Sequence, residues 1–307
     1  MQRSATALDW LVFAALGVAW GSSYLFIKIG VETLQPLDLV AGRLAIGTAV
    51  LAVFLLAQRH ALPRSPSVYG HLVMQALLGI VIPFTLITWG EQSIDSGLAA
   101  ILNGTVPLFA LVMAALVLAD EPFTANKGIG LMVGFLGVVA VTSPSFASGL
   151  GGSLPGEAML MIATVSYAAA GVYARRFLSG IAPLVNAFFE VGFAFVISLA
   201  LALAFEPLPS GLDGSSLLAV GWLGLVGSGL AFLAFFHLLG RMGAAGTTQV
   251  AYLLPVVGVV LGAAVRGEPV TPVVIGGMAL VLVGVALANR PSRSAARPAA
   301  VEYAPPE

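Results

Sequence analysis

The sequence has no cysteine and few charged residues, and each shortage excludes a class of protein. The absence of cysteine among 307 residues excludes disulfides and thiolate chemistry. Charged residues make up 9% of the chain and hydrophobic residues 59%, whereas a soluble domain carries about 25% charged residues. A chain with so little polar surface cannot cover itself in water, so we expect a membrane protein in contact with a lipid bilayer.

Ten long apolar stretches follow one another, separated by short runs that contain proline, glycine or charge. A bilayer core about 30 Å thick needs roughly 20 apolar residues per helical span. The stretches are continuous rather than alternating, which favours helices over membrane strands. They therefore predict an all-α membrane protein with ten transmembrane helices. The stretches are 9–29, 37–57, 70–90, 97–118, 127–143, 156–175, 184–205, 216–238, 246–265 and 272–289.

The phrase SGLAAILNGTVPLFALVMAALVLADEPFT at 96–124 returns as AAGTTQVAYLLPVVGVVLGAAVRGEPVT at 244–271. Each half holds five spans, an odd number, so the second half enters the membrane from the opposite side. We therefore predict two inverted-topology five-helix repeats, an architecture common in secondary transporters. A structural or scaffolding membrane protein is the alternative. The predicted domains are a first repeat at 1–145, a second at 152–290 and a disordered cytoplasmic tail at 291–307.

The basic residues are distributed unevenly between the two sides that this topology defines. With the N-terminus inside, only Lys28, Arg43 and Arg266 of the 13 Lys and Arg residues fall outside. The positive-inside rule then puts both termini in the cytoplasm. We expect a multi-pass protein of a bacterial plasma (inner) membrane.

The first span contains AWGSSYLFIK, the second has an arginine early in its length, and Ala-rich spans end in Glu-Pro turns. Glycines recur in the fifth span, and the arrangement is doubled. Together these motifs resemble the drug/metabolite transporter superfamily, and most closely its ten-span EamA family, over nearly the whole chain. The resemblance implies alternating access to a central site built from spans 1, 3, 4, 6, 8 and 9. It also implies a role similar to that of members that export amino acids and related metabolites.

The repeated Glu-Pro-x-Thr turn can be a structural corner or a functional gate. Thr124 and Thr271 are placed to cap the helix that follows each turn. Glu121 and Glu268 can approach the positive end of that same helix. The position of the turns at the membrane interface favours the structural interpretation.

Glycines at spacings of three and four residues mark one face of the fifth span, at Gly130, Gly134 and Gly137. Gly277 and Gly284 repeat part of the pattern in the tenth span. Small residues allow close approach between membrane helices, so we expect helix packing here. An oligomer interface is the alternative, and the chain is expected to be a monomer or a homodimer.

Polar and aromatic side chains within the spans are candidates for lining a cavity or for ordinary interhelical packing. Several of them follow Gly21 or precede Pro107 and Pro255, where proline frees a helical carbonyl. Amide side chains beside such loosened backbone can bind the ammonium and carboxylate of a zwitterion. The expected cavity-lining residues are Trp20, Ser22, Ser23, Tyr24, Thr88, Trp89, Asn103, Thr105, Tyr167, Gln249 and Tyr252.

Arg43 and Glu190 are the clear charges well inside spans, and such charges are functional candidates by default. Arg43 can instead extend its side chain outward to the interface. Glu190 is the best candidate for proton coupling, although it can also pair within the bundle. His237, at the inner end of the eighth span, is a third coupling candidate, with an interfacial role as its alternative.

These observations predict a secondary transporter that exports small neutral metabolites, with hydrophobic or aromatic amino acids first. The scarcity of buried charge expected in the cavity argues against strongly anionic cargo such as sugar phosphates. A drug or quaternary-amine exporter is the alternative, and it would need an aromatic cage with a carboxylate. No phosphate loop, metal-ligand spacing or nucleophile elbow is present. We expect no enzyme activity, cofactor, metal or nucleic-acid partner.

Overall fold

The computed structural model describes residues 5–118, 123–148, 153–209, 211 and 213–290, and these form helices and turns without a strand. Nine helices of this described part are long and apolar enough to cross a membrane, and a tenth, with 17 residues, is shorter. The all-α fold is confirmed, whereas ten spans remain a prediction. The helices, α1 to α10 in order, are Ala7–Gly30, Pro36–Gln58, Pro66–Gly90, Ser96–Val117, Ala125–Ser148, Leu154–Phe177, Pro183–Phe205, Gly214–Gly243, Gly246–Arg266 and Pro272–Ala288.

Local signals set several helix ends. Thr271 Oγ1 accepts a hydrogen bond from Val274 N at 3.3 Å, and Thr124 Oγ1 accepts one from Lys127 N at 3.4 Å. The predicted threonine caps are therefore confirmed, although Glu121 and Pro122 lie outside the described residues. Gly267, which ends α9, has a φ of 69°, a left-handed conformation that glycine adopts without steric cost.

Interruptions of the helices fall at corresponding positions in the two halves. A π-helical segment spans Leu77–Val81 in α3, and another spans Trp222–Leu230 in α8. The two segments overlap when the 148-residue offset from Pro107 to Pro255 is applied. With the same offset, the break in α4 before Val106 corresponds to the 3₁₀ turn that opens α9. Both halves are therefore loosened at similar depths.

The glycines of α5 pack against those of α10. A methyl group on Gly137 would lie 2.7 Å from the Gly277 carbonyl oxygen and 2.7 Å from Val281 N. A methyl group on Gly130 would collide with the Gly284 carbonyl and the Ala288 backbone nitrogen. The predicted close packing is confirmed and lies within one chain. The alternative that these glycines form an oligomer interface is wrong, because α5 and α10 already cover each other at these positions.

Candidate functional site

A cavity of about 1040 Å³ lies in the centre of the helical bundle and reaches one of its ends. Its lining includes Lys127, Arg175 and Arg290, which lie where α5 begins and where α6 and α10 end. We call this end of the bundle the open end. Lys28, Ser96 and Glu268 lie at the opposite end of the bundle, and none of them lines the cavity. We call this end the closed end.

The structure brings eight of the sequence-predicted candidates together on the cavity wall. Spans 1, 3, 4, 6, 8 and 9 all contribute, as the family resemblance implies, and α2, α5 and α10 add side chains of their own. The candidates on the wall are Trp20, Ser23, Tyr24, Arg43, Asn103, Tyr167, Gln249 and Tyr252.

The depth of two of these candidates differs from the sequence-based expectation. Gln249 and Tyr252 lie in the 3₁₀ turn at the start of α9 rather than at mid-depth. Gln249 is exposed, and Tyr252 Oη accepts a hydrogen bond from Asn289 Nδ2 at 3.1 Å. Both therefore line the open end, because the 3₁₀ turn places them before the long helix of α9 enters the bundle.

Four other candidates lie off the cavity wall, each for a local reason. Ser22 is buried between α1 and α8, where its Oγ accepts a hydrogen bond from Trp222 Nε1 at 2.9 Å. Thr88 and Thr105 are also buried, and their hydroxyls donate to the carbonyls of Phe84 and Leu102. Trp89 is 39% exposed on the outer surface of the bundle.

Arg43 lies inside the protein and does not extend its side chain to the interface. Its side chain is buried on the cavity wall, and its Nε donates to Ser228 Oγ of α8 at 3.2 Å. The guanidinium carbon lies 4.1 Å from the centre of the Phe84 ring, which is the geometry of a cation–π contact. These two contacts hold the guanidinium plane between α8 and α3.

The charges on the cavity wall correct one sequence-based expectation. Arg43, Lys127, Arg175 and Arg290 line the cavity, and no Asp or Glu of the described part of the chain does. The cavity wall therefore carries charged side chains and is not poor in charge. The sequence-based argument failed because three of these cations stand at helix ends, where the apolar pattern gives no sign that they face inward.

Glu190 lies directly behind the cavity wall rather than on it. The carboxylate is buried beside α3, and its Oε1 accepts a hydrogen bond from Gln75 Nε2 at 3.2 Å. A methyl group on Gly79, which lines the cavity, would collide with the same Oε1. Only the absence of a side chain at position 79 leaves room for this carboxylate next to the cavity.

His237 is part of an ion cluster at the N-terminal end of α1. Its Nε2 lies 3.1 Å from Asp9 Oδ1, and Arg241 Nη2 lies 3.1 Å from Asp9 Oδ2. The His237 side chain is 44% exposed, whereas that of Asp9 is buried. Sequence reasoning missed Asp9, which the capping box with Thr6 could have indicated.

A carboxylate of the second half fixes the N-terminus of α4 at the closed end. Glu268 accepts hydrogen bonds from Ser96 N at 2.9 Å, Ser96 Oγ at 2.8 Å and Gly97 N at 2.9 Å. The expectation that Glu268 approaches the start of its own following helix is therefore wrong. Gly262 makes room for this carboxylate, because a methyl group there would collide with Glu268 Oε2.

Lys28 and Glu91 complete the closed end. Lys28 Nζ donates to the backbone carbonyls of Glu91 at 2.7 Å and Ile94 at 2.8 Å, and so binds the turn after α3. The Glu91 side chain is fully buried, and neither of its oxygens has a hydrogen-bond partner among the described residues. Burial raises the pKa of this carboxyl well above its usual range. Sequence reasoning missed Glu91 because it stands just past the end of a span.

Two hydrogen bonds, at corresponding positions in the two halves of the chain, join the π-helical segments to cavity-lining helices. Trp20 Nε1 of α1 donates to the Gly227 carbonyl in α8 at 3.2 Å. Ser166 Oγ of α6 donates to the Leu78 carbonyl in α3 at 2.7 Å. A π-helical turn leaves carbonyls without their usual partner, so each half satisfies one of them from the other half.

Comparison with known proteins assigns this architecture to a family. The sequence is 31% identical over 263 residues to the uncharacterized inner membrane transporter YedA of Escherichia coli K12, covering 84% of this chain and 83% of that protein. It is 25% identical over 281 residues to a probable terminal-alkyne amino-acid exporter of Streptantibioticus cattleyicolor, covering 89% and 90%.

A solved crystal structure shares the fold, with a TM-score of 0.65 at 22% identity, over 92% of this chain and 97% of the other. The sequence profile of the EamA-like transporter family matches residues 9–143 and matches again at 154–290. Two successive matches to one family agree with the paired interruptions of α3 and α8 and of α4 and α9. The chain is a membrane transporter that belongs to the EamA-like transporter family.

Proposed function

We propose that the protein is an alternating-access secondary transporter that exports small, net-neutral metabolites, with hydrophobic or aromatic amino acids as the first candidates. The observation that carries the proposal is the central cavity, which reaches the open end while Glu268 and Lys28 hold the other end closed. A carrier needs a site accessible from one side at a time, whereas a channel needs a continuous path.

The orientation follows from the charge distribution. With the positive-inside rule, the open end faces the cytoplasm, which makes this the cytoplasm-facing conformation of a transporter of the inner membrane. The two inverted repeats at 1–145 and 152–290 would exchange roles in the opposite conformation. The location is supported by the name of the Escherichia coli relative, an inner membrane transporter.

The aromatic side chains of the cavity support an apolar or aromatic cargo. Trp20 lies with its ring centre 5.6 Å from that of Phe235 and 6.4 Å from that of Phe232. The ring centres of Phe84 and Tyr167 lie 6.5 Å apart in an edge-to-face arrangement. All five rings line the cavity. The name of the Streptantibioticus relative, an amino-acid exporter, supports the same cargo class.

The alternative of a quaternary-amine exporter is less well supported. A site for such a cation requires aromatic faces together with a carboxylate. The described residues supply the aromatic faces but place no carboxylate on the cavity wall.

Counterflow in proteoliposomes tests the proposed function. Purified protein is reconstituted with a high internal concentration of one unlabelled amino acid, and uptake of the same labelled compound is followed across a panel. A transient accumulation above the level of protein-free liposomes is expected for some hydrophobic or aromatic amino acids. Absence of counterflow for every amino acid in the panel would reject this cargo class.

Glu190 is the proposed site of proton coupling. A buried carboxylate beside the cavity can change its protonation when cargo binds. We expect Glu190→Gln to abolish the effect of an imposed pH gradient while leaving cargo exchange intact. An unchanged response to the gradient would reject the coupling role, and the counterflow assay provides the control for exchange.

A further inference from the structure

The guanidinium of Arg43 has no counterion within the described part of the protein. It takes part in none of the ion pairs there, and its hydrogen bond to Ser228 uses only Nε of its five N–H donors. Glu91, a carboxylate that interacts with it electrostatically, is off the cavity wall and forms no hydrogen bond with it. The two terminal nitrogens have no hydrogen-bond partner among the described residues, and Arg43 lines the cavity.

An uncompensated charge at this depth is costly. Insertion of an arginine into a membrane span is unfavourable, because the charge leaves water for an apolar environment. Arg43 is only 3% exposed, so little water replaces the missing anion. The contacts with Phe84 and Ser228 orient the guanidinium but do not neutralise it. A cargo that brings its own negative charge would remove this cost when it binds.

We propose that Arg43 determines specificity by binding the carboxylate of the cargo, so that the transported compounds are carboxylates rather than amines, amides or alcohols. This inference deepens the proposed function and rests on it. A guanidinium and a carboxylate match in a planar arrangement with two parallel hydrogen bonds. Phe84 and Ser228 hold the guanidinium before the cargo arrives, which lowers the entropy lost on binding.

The opposite pole of a zwitterion has a candidate partner in Asn103. Its Oδ1 is buried without a hydrogen-bond partner among the described residues, and Asn103 lines the cavity. Tyr24, also on the wall, interacts with both the Asn103 side chain and the charge of Arg43. An ammonium group needs only acceptors, and a carbonyl oxygen supplies one.

Ligand binding to purified protein, read by intrinsic tryptophan fluorescence to which Trp20 on the cavity wall contributes, tests the assignment without transport. The probes are phenylalanine, leucine and methionine, each paired with its carboxamide and its decarboxylated amine. We expect the wild-type protein to bind each acid roughly 10- to 100-fold more tightly than its carboxamide or its decarboxylated amine, because neither of these can form the charge-assisted hydrogen bond with Arg43. Equal binding of acids, amides and amines would overturn the proposal.

Variants at Arg43 and Arg175 separate the effect of the Arg43 guanidinium from that of another cation on the cavity wall. Arg43→Gln should lose the preference for acids, and Arg43→Lys should recover only part of it because lysine lacks the planar fork. Arg175→Gln, which removes a cation of the same cavity at the open end, should retain the preference. An acid preference that survives Arg43→Gln would reject the assignment.

A variant at Ser228 keeps the test valid if Arg43→Gln fails to fold. Ser228→Ala removes the hydrogen bond that orients Nε but leaves the charge, and we expect it to weaken acid binding severalfold while amine binding stays unchanged. Equal weakening of both would count against the assignment. If the protein prefers acids but shows no counterflow, the transport function is rejected and the carboxylate-binding role of Arg43 stands. If amines and acids show counterflow alike, the transport function stands and the role of Arg43 is rejected.

Discussion

The Glu268 carboxylate accepts a 2.9 Å hydrogen bond from the backbone nitrogen of Ser96, which joins the second half of the chain to the first. Two further hydrogen bonds, from Ser96 Oγ and Gly97 N, complete the contact. A carboxylate at a helix N-terminus gains both from these donors and from the helix dipole. The contact lies at the closed end, so opening that end must break it.

We predict that Glu268→Gln shifts the protein toward a conformation that is open at the Glu268 end. Loss of charge-assisted hydrogen bonds costs about 1.5–3 kcal/mol, which corresponds to roughly 10- to 100-fold in the conformational equilibrium. The sequence has no cysteine, so Ser23→Cys in the cavity provides a unique label. Its reaction with a membrane-impermeant thiol reagent from the closed end should accelerate in the Glu268→Gln background.

Glu32→Gln is the matched control for this experiment. Glu32 is a carboxylate of the same end that pairs with Arg266, but its side chain is 46% exposed. Exposed ion pairs contribute at most about 1 kcal/mol, so its loss should leave the labelling rate nearly unchanged. Equal acceleration by both variants would mean that general loss of charge, and not the contact with Ser96, controls opening.

The helices and their caps could be predicted because their signals are local. Each signal determines the structure of residues only a few positions away. The signals are the continuous apolar stretches, the prolines in first helical turns and the threonines at 124 and 271. The glycines of α5 and α10 could be predicted to pack for the same reason, since helical spacing puts them on one face. The partner of Glu268 could not, because Ser96 lies 172 positions earlier and only the folded bundle brings the two together.

The titration of Glu91 predicts a pH dependence of stability. Burial, the largest effect, raises its pKa well above 4.5, opposed by the charges of Lys28 and Arg43 and supported by that of Glu268. The neutral form is therefore favoured in the folded state. Its contribution to stability is fully present below the usual carboxyl pKa and is lost as the pH rises through the folded-state value.

We expect Glu91→Gln, which is neutral at every pH, to raise the thermal unfolding temperature at pH 8. The gain should be a few degrees, since about 1 kcal/mol corresponds to roughly 2–4 °C in a chain of this size. Thermal unfolding in detergent between pH 5 and pH 8 measures it, and the gain should shrink toward pH 5. Glu32→Gln serves as the exposed control and should change neither value. A gain independent of pH would contradict this account of Glu91.

The contact between α5 and α10 predicts a large effect for one glycine and none for another. Gly137→Ala places a methyl group 2.7 Å from the Gly277 carbonyl oxygen, so the helices must separate, at about 1–3 kcal/mol. Gly276→Ala, an exposed position of α10 with open space around it, should be neutral or stabilising. Thermal unfolding compares the two variants, and equal unfolding temperatures would contradict the packing explanation.

The residue types of the candidate site could be predicted from the sequence, but the direction in which each side chain points could not. Trp20, Tyr24, Asn103 and Tyr167 stand out as aromatic or polar residues within apolar spans, and all four line the cavity. Thr88 stood out in the same way yet donates to a carbonyl of its own helix. The difference is the direction of each side chain on its helix, which depends on breaks and π-helical turns that composition does not reveal. The cations at the open end were missed because they stand at helix ends, where the apolar pattern does not show which way they face.

Gly79 sets the distance between the cavity and the Glu190 carboxylate. Gly79→Ala would force either Glu190 or the π-helical segment of α3 to move, because the new methyl group collides with Glu190 Oε1. We expect a loss of about 1–3 kcal/mol in stability and a reduced response of transport to a pH gradient. Gly171→Ala is the matched control, since Gly171 also lines the cavity but has no neighbour within 4 Å.

The two readouts distinguish a packing role of Gly79 from a role in coupling. Thermal unfolding reports the collision itself, whereas gradient-driven transport reports the position of the Glu190 carboxylate. If Gly79→Ala lowers stability but leaves the gradient response equal to that of Gly171→Ala, the glycine serves packing alone. If both fall together, and Glu190→Gln loses the gradient response as well, the space beside Gly79 is needed for a carboxylate that exchanges protons next to the cargo.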